Sequence, residues 1–75
     1  MTDERFKQDI LGPLNEVYMI LKKHKDNSKD EDWDEWMKDI QKILDKKLPY
    51  EYNEALYRVL LSCGDIIGEI NRGKA

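Results

Sequence analysis

Apolar residues recur at helical spacing along nearly the whole chain, in three stretches set apart by one polar connection and one proline. The middle stretch is the cleanest. Trp33, Trp36, Met37, Ile40, Ile43, Leu44 and Leu48 fall within an arc of roughly 140° when successive residues are placed 100° apart. The opposite side is almost entirely Asp, Glu, Lys and Gln. That pattern predicts a surface helix with one buried face over about 30–47. Ser28 and Glu31 have the spacing of a capping box at its start, with Asp30 as a competing N-cap. Leu48-Pro49 ends it, because the residue before a proline is pushed out of the α region.

The first stretch, about 3–24, carries Phe6, Ile10, Leu14, Val17, Tyr18 and Leu21 on one stripe. Gly12-Pro13 interrupts it: the proline removes a hydrogen bond and clashes with the carbonyl of Asp9. The stripe keeps its phase across the interruption, which predicts either one helix kinked at Pro13 or a short helix followed by a new start. Lys25 to Lys29 is a polar connection with turn-forming residues. The third stretch, about 50–71, opens behind Pro49 and stops near Asn71-Arg72-Gly73. Leu56, Val59, Leu60, Cys63, Ile66, Ile67 and Ile70 form its stripe, and Tyr57, Leu61 and Gly64 widen it along one flank. Only Glu54, Arg58, Ser62, Asp65 and Glu69 make a polar edge. This is the helix expected to lie deepest. Three helices with two short connections predict an all-α, antiparallel three-helix bundle in one domain, 1–75.

Seventy-five residues leave a thin stability margin, which small domains widen with disulfides, metals or self-association. Cys63 is the only cysteine and His24 the only histidine, so neither an internal disulfide nor a closed zinc site can form. A lone thiol, the absence of a signal-peptide pattern at Met1-Thr2-Asp3-Glu4 and an apolar run no longer than Val17–Leu21 predict a cytoplasmic protein that does not enter a membrane. The net charge of −3 disfavours direct nucleic-acid binding.

Most charge clusters sit at predicted helix ends, where the helix dipole favours them. Asp30, Asp32 and Asp34 have the alternation of a calcium loop, but Glu35 stands where its glycine belongs and Gln41 where its last glutamate belongs. An acidic edge that imitates nucleic-acid phosphates is a third, weaker reading. Cys63, among Leu60, Ile66 and Ile67, reads as a small hydrophobe. No phosphate loop, nucleophile elbow, metal motif or cofactor site is present, so no enzyme is expected.

The tryptophans say more. Trp33 lies near the middle of its stripe and reads as core; Trp36 lies toward the border, where core and interface both remain open. Met19 and Ile20 point away from the first stripe, and Leu61 and Tyr57 lie on the flank of the third helix. Trp36, Met19, Ile20, Leu61 and Tyr57 are the candidate interaction residues. The excess apolar surface predicts a protein partner or a second copy of the chain. Leu11-Gly12-Pro13-Leu14-Asn15-Glu16-Val17-Tyr18 and Trp33-Asp34-Glu35-Trp36-Met37 resemble the short helical proteins encoded in prophages and integrative elements. That resemblance implies an accessory protein that acts by binding.

Overall fold

A computed structural model describes residues 1–73, and in it the three helical stretches form an all-α bundle. The first is one continuous helical rod made of α1 (Asp3–Phe6), a π turn (Lys7–Leu11) and α2 (Gly12–Lys23). The second is α3 (Asp30–Leu44). A 3-10 turn (Pro49–Glu51) leads into the third, α4 (Tyr52–Asn71).

Proline at position 13 does not start a new helix, since Leu11 and Gly12 before it keep helical backbone angles. The turn before it widens, so that Gly12 N–H reaches the carbonyl of Lys7, five residues back. A π turn adds one residue to a helical revolution, which relocates the carbonyls Pro13 cannot serve. It also changes the phase of the apolar stripe. The residues that α2 turns inward are Pro13, Val17, Ile20, Leu21 and, at its cap, His24. Phe6, Leu14 and Tyr18, expected inside, are 43%, 39% and 58% exposed.

The start of α3 is built by Asp32, not by the Ser28–Glu31 box. Its Oδ2 accepts the backbone N–H groups of Ser28 and Lys29, both at 3.1 Å, with Lys29 at the N-cap. These two donors hold the Asp32 carboxyl below its ordinary pKa. The helix stops at Leu44, earlier than its stripe suggests. Asn53 Nδ2 donates to the carbonyls of Leu44 and Lys46, taking up acceptors the helix end leaves open. The 3-10 turn places Tyr50 (φ 59°) and Glu51 (φ 57°) in the left-handed region, which costs a non-glycine residue about 1–2 kcal/mol. The expected helix start at 50 therefore moves to Tyr52.

α4 is the central helix, packed closely against both α3 and α2. Tyr52 Oη donates to the carbonyl of Ile10 at one end. Asn71 Nδ2 donates to the carbonyls of Lys25 and Asn27 at the other. α2 and α4 thus run parallel, with α3 antiparallel to both. The core is Val17, Trp36, Ile40, Ile43, Leu56 and Leu60, with Ile20, Leu21, Trp33, Leu48, Tyr52 and Tyr57 packed around it.

The face α4 buries is not its most apolar one. Leu56, Leu60, Gly64 and Gly68 point inward, while Val59, Ile66 and Ile70 are 46%, 56% and 55% exposed. The two glycines decide this. A Cβ on Gly64 would lie 2.6 Å from Trp36 Cζ2, so the ring is seated against bare backbone. The same seat makes Trp36 a core side chain, at 4% exposure, and leaves Trp33 half-buried against the core.

Candidate functional site

Two features stand apart from ordinary packing. The first is a polar cluster where the end of α2 meets α3. Asp39 belongs to α3 and lies inside its apolar arc, one turn from Trp36 and one from Ile43. His24, the C-cap of α2, reaches it: Nε2 donates to Asp39 Oδ2 at 2.7 Å. The other ring nitrogen, Nδ1, is 3.1 Å from Asn27 Oδ1. Asn27 Nδ2 donates to the carbonyl of Asp32, which fixes the amide with its oxygen toward the ring. Both ring nitrogens therefore lie within hydrogen-bond distance of a side-chain oxygen.

Lys23 Nζ adds a cation, 2.9 Å from Asp39 Oδ2 and 2.9 Å from Glu35 Oε1. Those two carboxylates raise the Lys23 pKa. Burial pushes the Asp39 carboxyl up, but hydrogen bonds from His24 and Lys23, with their charges, outweigh it and hold the group below its ordinary value. The Trp36 ring stands edge-on to His24, with centroids 5.3 Å apart, and Trp33 stands edge-on to Trp36 at 6.0 Å. His24 is only 2% exposed. A His–Asp pair is half of an acid–base device, but no hydroxyl or thiol is bonded to His24, and its ring is sealed beneath Trp36. Chemically the cluster can lock α2 to α3. Among the described residues no group of three or more His, Cys, Asp or Glu is arranged to hold a metal.

The second feature is an uncovered apolar face. On α2, Leu11 (42% exposed), Leu14 and Tyr18 lie on the flank turned toward α4 and away from α3. On α4, Val59, Ile66 and Ile70, with half-buried Cys63, lie on the flank turned toward α2. Because α2 and α4 are parallel neighbours, these flanks meet in one surface on the side of the bundle that α3 does not cover. Along α4 it is continued by Ala55 and Ser62, while on α2 the stripe of Leu11, Leu14 and Tyr18 ends at the exposed Lys22 and Lys25.

The candidate residues read from the sequence do not gather here. Met19, 54% exposed, lies in a groove of about 590 Å³ between α2 and α3. Ile20 lines the same groove but packs onto the core, a correction to its outward reading that follows from the changed phase of α2. Leu61, 38% exposed, lines a separate groove between α3 and α4 with an edge of Trp36. Tyr57 packs onto the core. Trp36 is a core residue in the isolated chain, not a surface anchor. The acidic start of α3 is likewise partly consumed within the fold. Asp32 is bound by backbone N–H groups and Glu35 by Lys23, while Lys38 and Lys42 interleave the remaining carboxylates.

Two groups of residues escaped the sequence reading. Asp39 gave a usable signal, a carboxylate in the middle of an apolar stripe, which at a buried position needs a partner. The exposed flank gave only a general one, a stripe on the third helix too broad for one contact face, because Val59, Ile66 and Ile70 have the same periodicity as a buried face. Comparison with family models, with curated proteins and with solved structures finds no match to this chain. Among the described residues no helix is long and apolar enough to cross a membrane.

Proposed function

We propose that this chain is a non-enzymatic binding protein that docks a protein partner on the shared face of α2 and α4. The observation that carries the reading is the exposure of six large apolar side chains on that one face: Leu11, Leu14, Tyr18, Val59, Ile66 and Ile70. Full accessible areas of such side chains are of order 150–250 Å², so these exposures sum to roughly 600 Å², the upper end of what a monomer leaves open. The His24–Asp39 cluster supports the reading from the other side of the bundle, since it fixes α2 and α3 without offering a reachable reactive group.

Site-specific photo-crosslinking in cells tests it. A benzophenone side chain at position 18 or 66 is expected to give protein adducts. The same probe at Glu31 or Lys38, on the exposed polar side of α3, is expected to give few. Equal yields at all four positions overturn the reading.

A further inference from the structure

We infer that the partner seated on this face is a second copy of the chain, with α4 antiparallel to α4 of the copy about a two-fold axis. The inference rests on the docking reading above and adds the identity and orientation of the occupant.

Charge decides the orientation. Beside the apolar stripe of α4 runs the polar edge of Arg58, Asp65 and Glu69, all exposed. None of the three makes an ion pair within the chain among the described residues. Two copies of α4 laid parallel about a two-fold axis would set the polar edge of each against the α2 flank of the other, Leu14 and Tyr18, where Arg58 meets no carboxylate. Laid antiparallel, with Val59 of one copy opposite Ile66 of the other, the same register sets Ala55 opposite Ile70. Arg58 then falls opposite position 67 of the copy, between its Asp65 and Glu69, and the two-fold axis repeats that arrangement. Unlike charges meet twice and like charges not at all. Such rim pairs add little affinity, but they select register and orientation.

Area and shape agree. The apolar face of roughly 600 Å² is about three-quarters of the ~800 Å² per partner of a standard interface. It is about a tenth of the chain's 5767 Å² of accessible surface. The Cα radius of gyration, 13.6 Å, exceeds the ~11 Å expected for a compact domain of this length. The molecule measures 43 × 23 × 16 Å, a slab with one face uncovered. In the pair, Val59, Ser62 and Ile66 lie at the seam. Leu14 and Tyr18 of α2 close one side, and the Arg58 pairs close the other. A point-group pair of this kind presents the same patch from both copies and leaves no open end.

Sedimentation equilibrium on the full chain tests this, with variants chosen on exposed positions so that the core is untouched. The wild type is expected at twice its 9.0 kDa chain mass. Ile66→Glu is expected at the single-chain mass with unchanged helical circular dichroism. Arg58→Glu is expected to weaken self-association about tenfold, and so is the Asp65→Lys/Glu69→Lys variant. Mixed together, the two charge variants are expected to pair with each other in preference to themselves. A wild type that stays monomeric at millimolar concentration overturns the inference, as does a dimer that survives Ile66→Glu. A monomer that still yields crosslinks at position 66 to a different protein overturns the second copy while leaving the docking surface intact. Charge variants that pair only with themselves overturn the antiparallel register.

Discussion

Glycine 64 and glycine 68 sit four residues apart on the same face of α4, yet they predict opposite outcomes for the same substitution. Alanine gains about 1 kcal/mol over glycine in a helix interior. At Gly64 the new Cβ would meet Trp36 Cζ2 at 2.6 Å, and that ring cannot move away from it, being held by His24 and Trp33. Overpacking of this kind costs about 1–3 kcal/mol. Gly64→Ala is expected to destabilise by up to about 2 kcal/mol net, while Gly68→Ala, whose nearest neighbour is the end of the flexible Arg72 side chain at 3.4 Å, is expected to stabilise by about 0.5–1 kcal/mol. Denaturant titration of the two variants reads both signs. Asp39 makes a second prediction. Its folded pKa and that of Asp32 are depressed, so their contribution is fully present above the unfolded carboxylate value of about 3.9. It is lost as pH falls through the lower folded values. The melting temperature is expected to drop between pH ~5 and pH ~2, and less steeply in Asp39→Asn. Asp39→Ala, which leaves His24 and Lys23 without their shared acceptor, is expected to cost about 2–4 kcal/mol at neutral pH.

Helical period alone placed all three helices and both connections, because burial of one face imposes that period whatever the neighbours are. It did not give the ends. α3 stops at Leu44 because Asn53, from the next helix, takes the carbonyls of Leu44 and Lys46, and a donor nine residues downstream leaves no mark on a local pattern. Asn53→Ala is expected to cost about 1–2 kcal/mol and to speed amide exchange across residues 45–48, with the centre of α3 unchanged. Exchange that rises uniformly along α3 would contradict that local role. Nor did the pattern give the facing of α2 and α4. In α2 the π turn at Lys7–Leu11 shifts the phase that Phe6 and Ile10 suggested. In α4 two stripes compete, and the winner is the one whose glycines admit Trp36. A hydrophobicity pattern scores glycine low and cannot see that a missing side chain is what a tryptophan needs. For the same reason Leu14, Tyr18, Val59, Ile66 and Ile70 read as core in the sequence, although all five are exposed.

At the scale of the molecule, the core cluster of six buried hydrophobic side chains among the described residues is small, and a slab 16 Å through has one broad side still in water. Covering that side with a second copy links folding to concentration. When the folded species is a dimer and the unfolded species is not, a tenfold rise in concentration adds about 0.7 kcal/mol per chain. For a domain of this size that shifts the melting temperature by about 3–5 °C. The wild type is therefore expected to melt higher at each tenfold step in concentration, over the range where sedimentation shows the pair. Ile66→Glu, exposed in the single chain and central to the seam, is expected to melt at one temperature throughout, close to the dilute limit of the wild type. Agreement at that limit matters, because it shows that the substitution removes the interface and not the fold. A variant that melts well below that limit has damaged the bundle itself, and Val59→Asp, one turn earlier on the same stripe, then provides the comparison. A wild type whose melting temperature ignores concentration has its stability within one chain, and the uncovered face is then left for a different protein to bury.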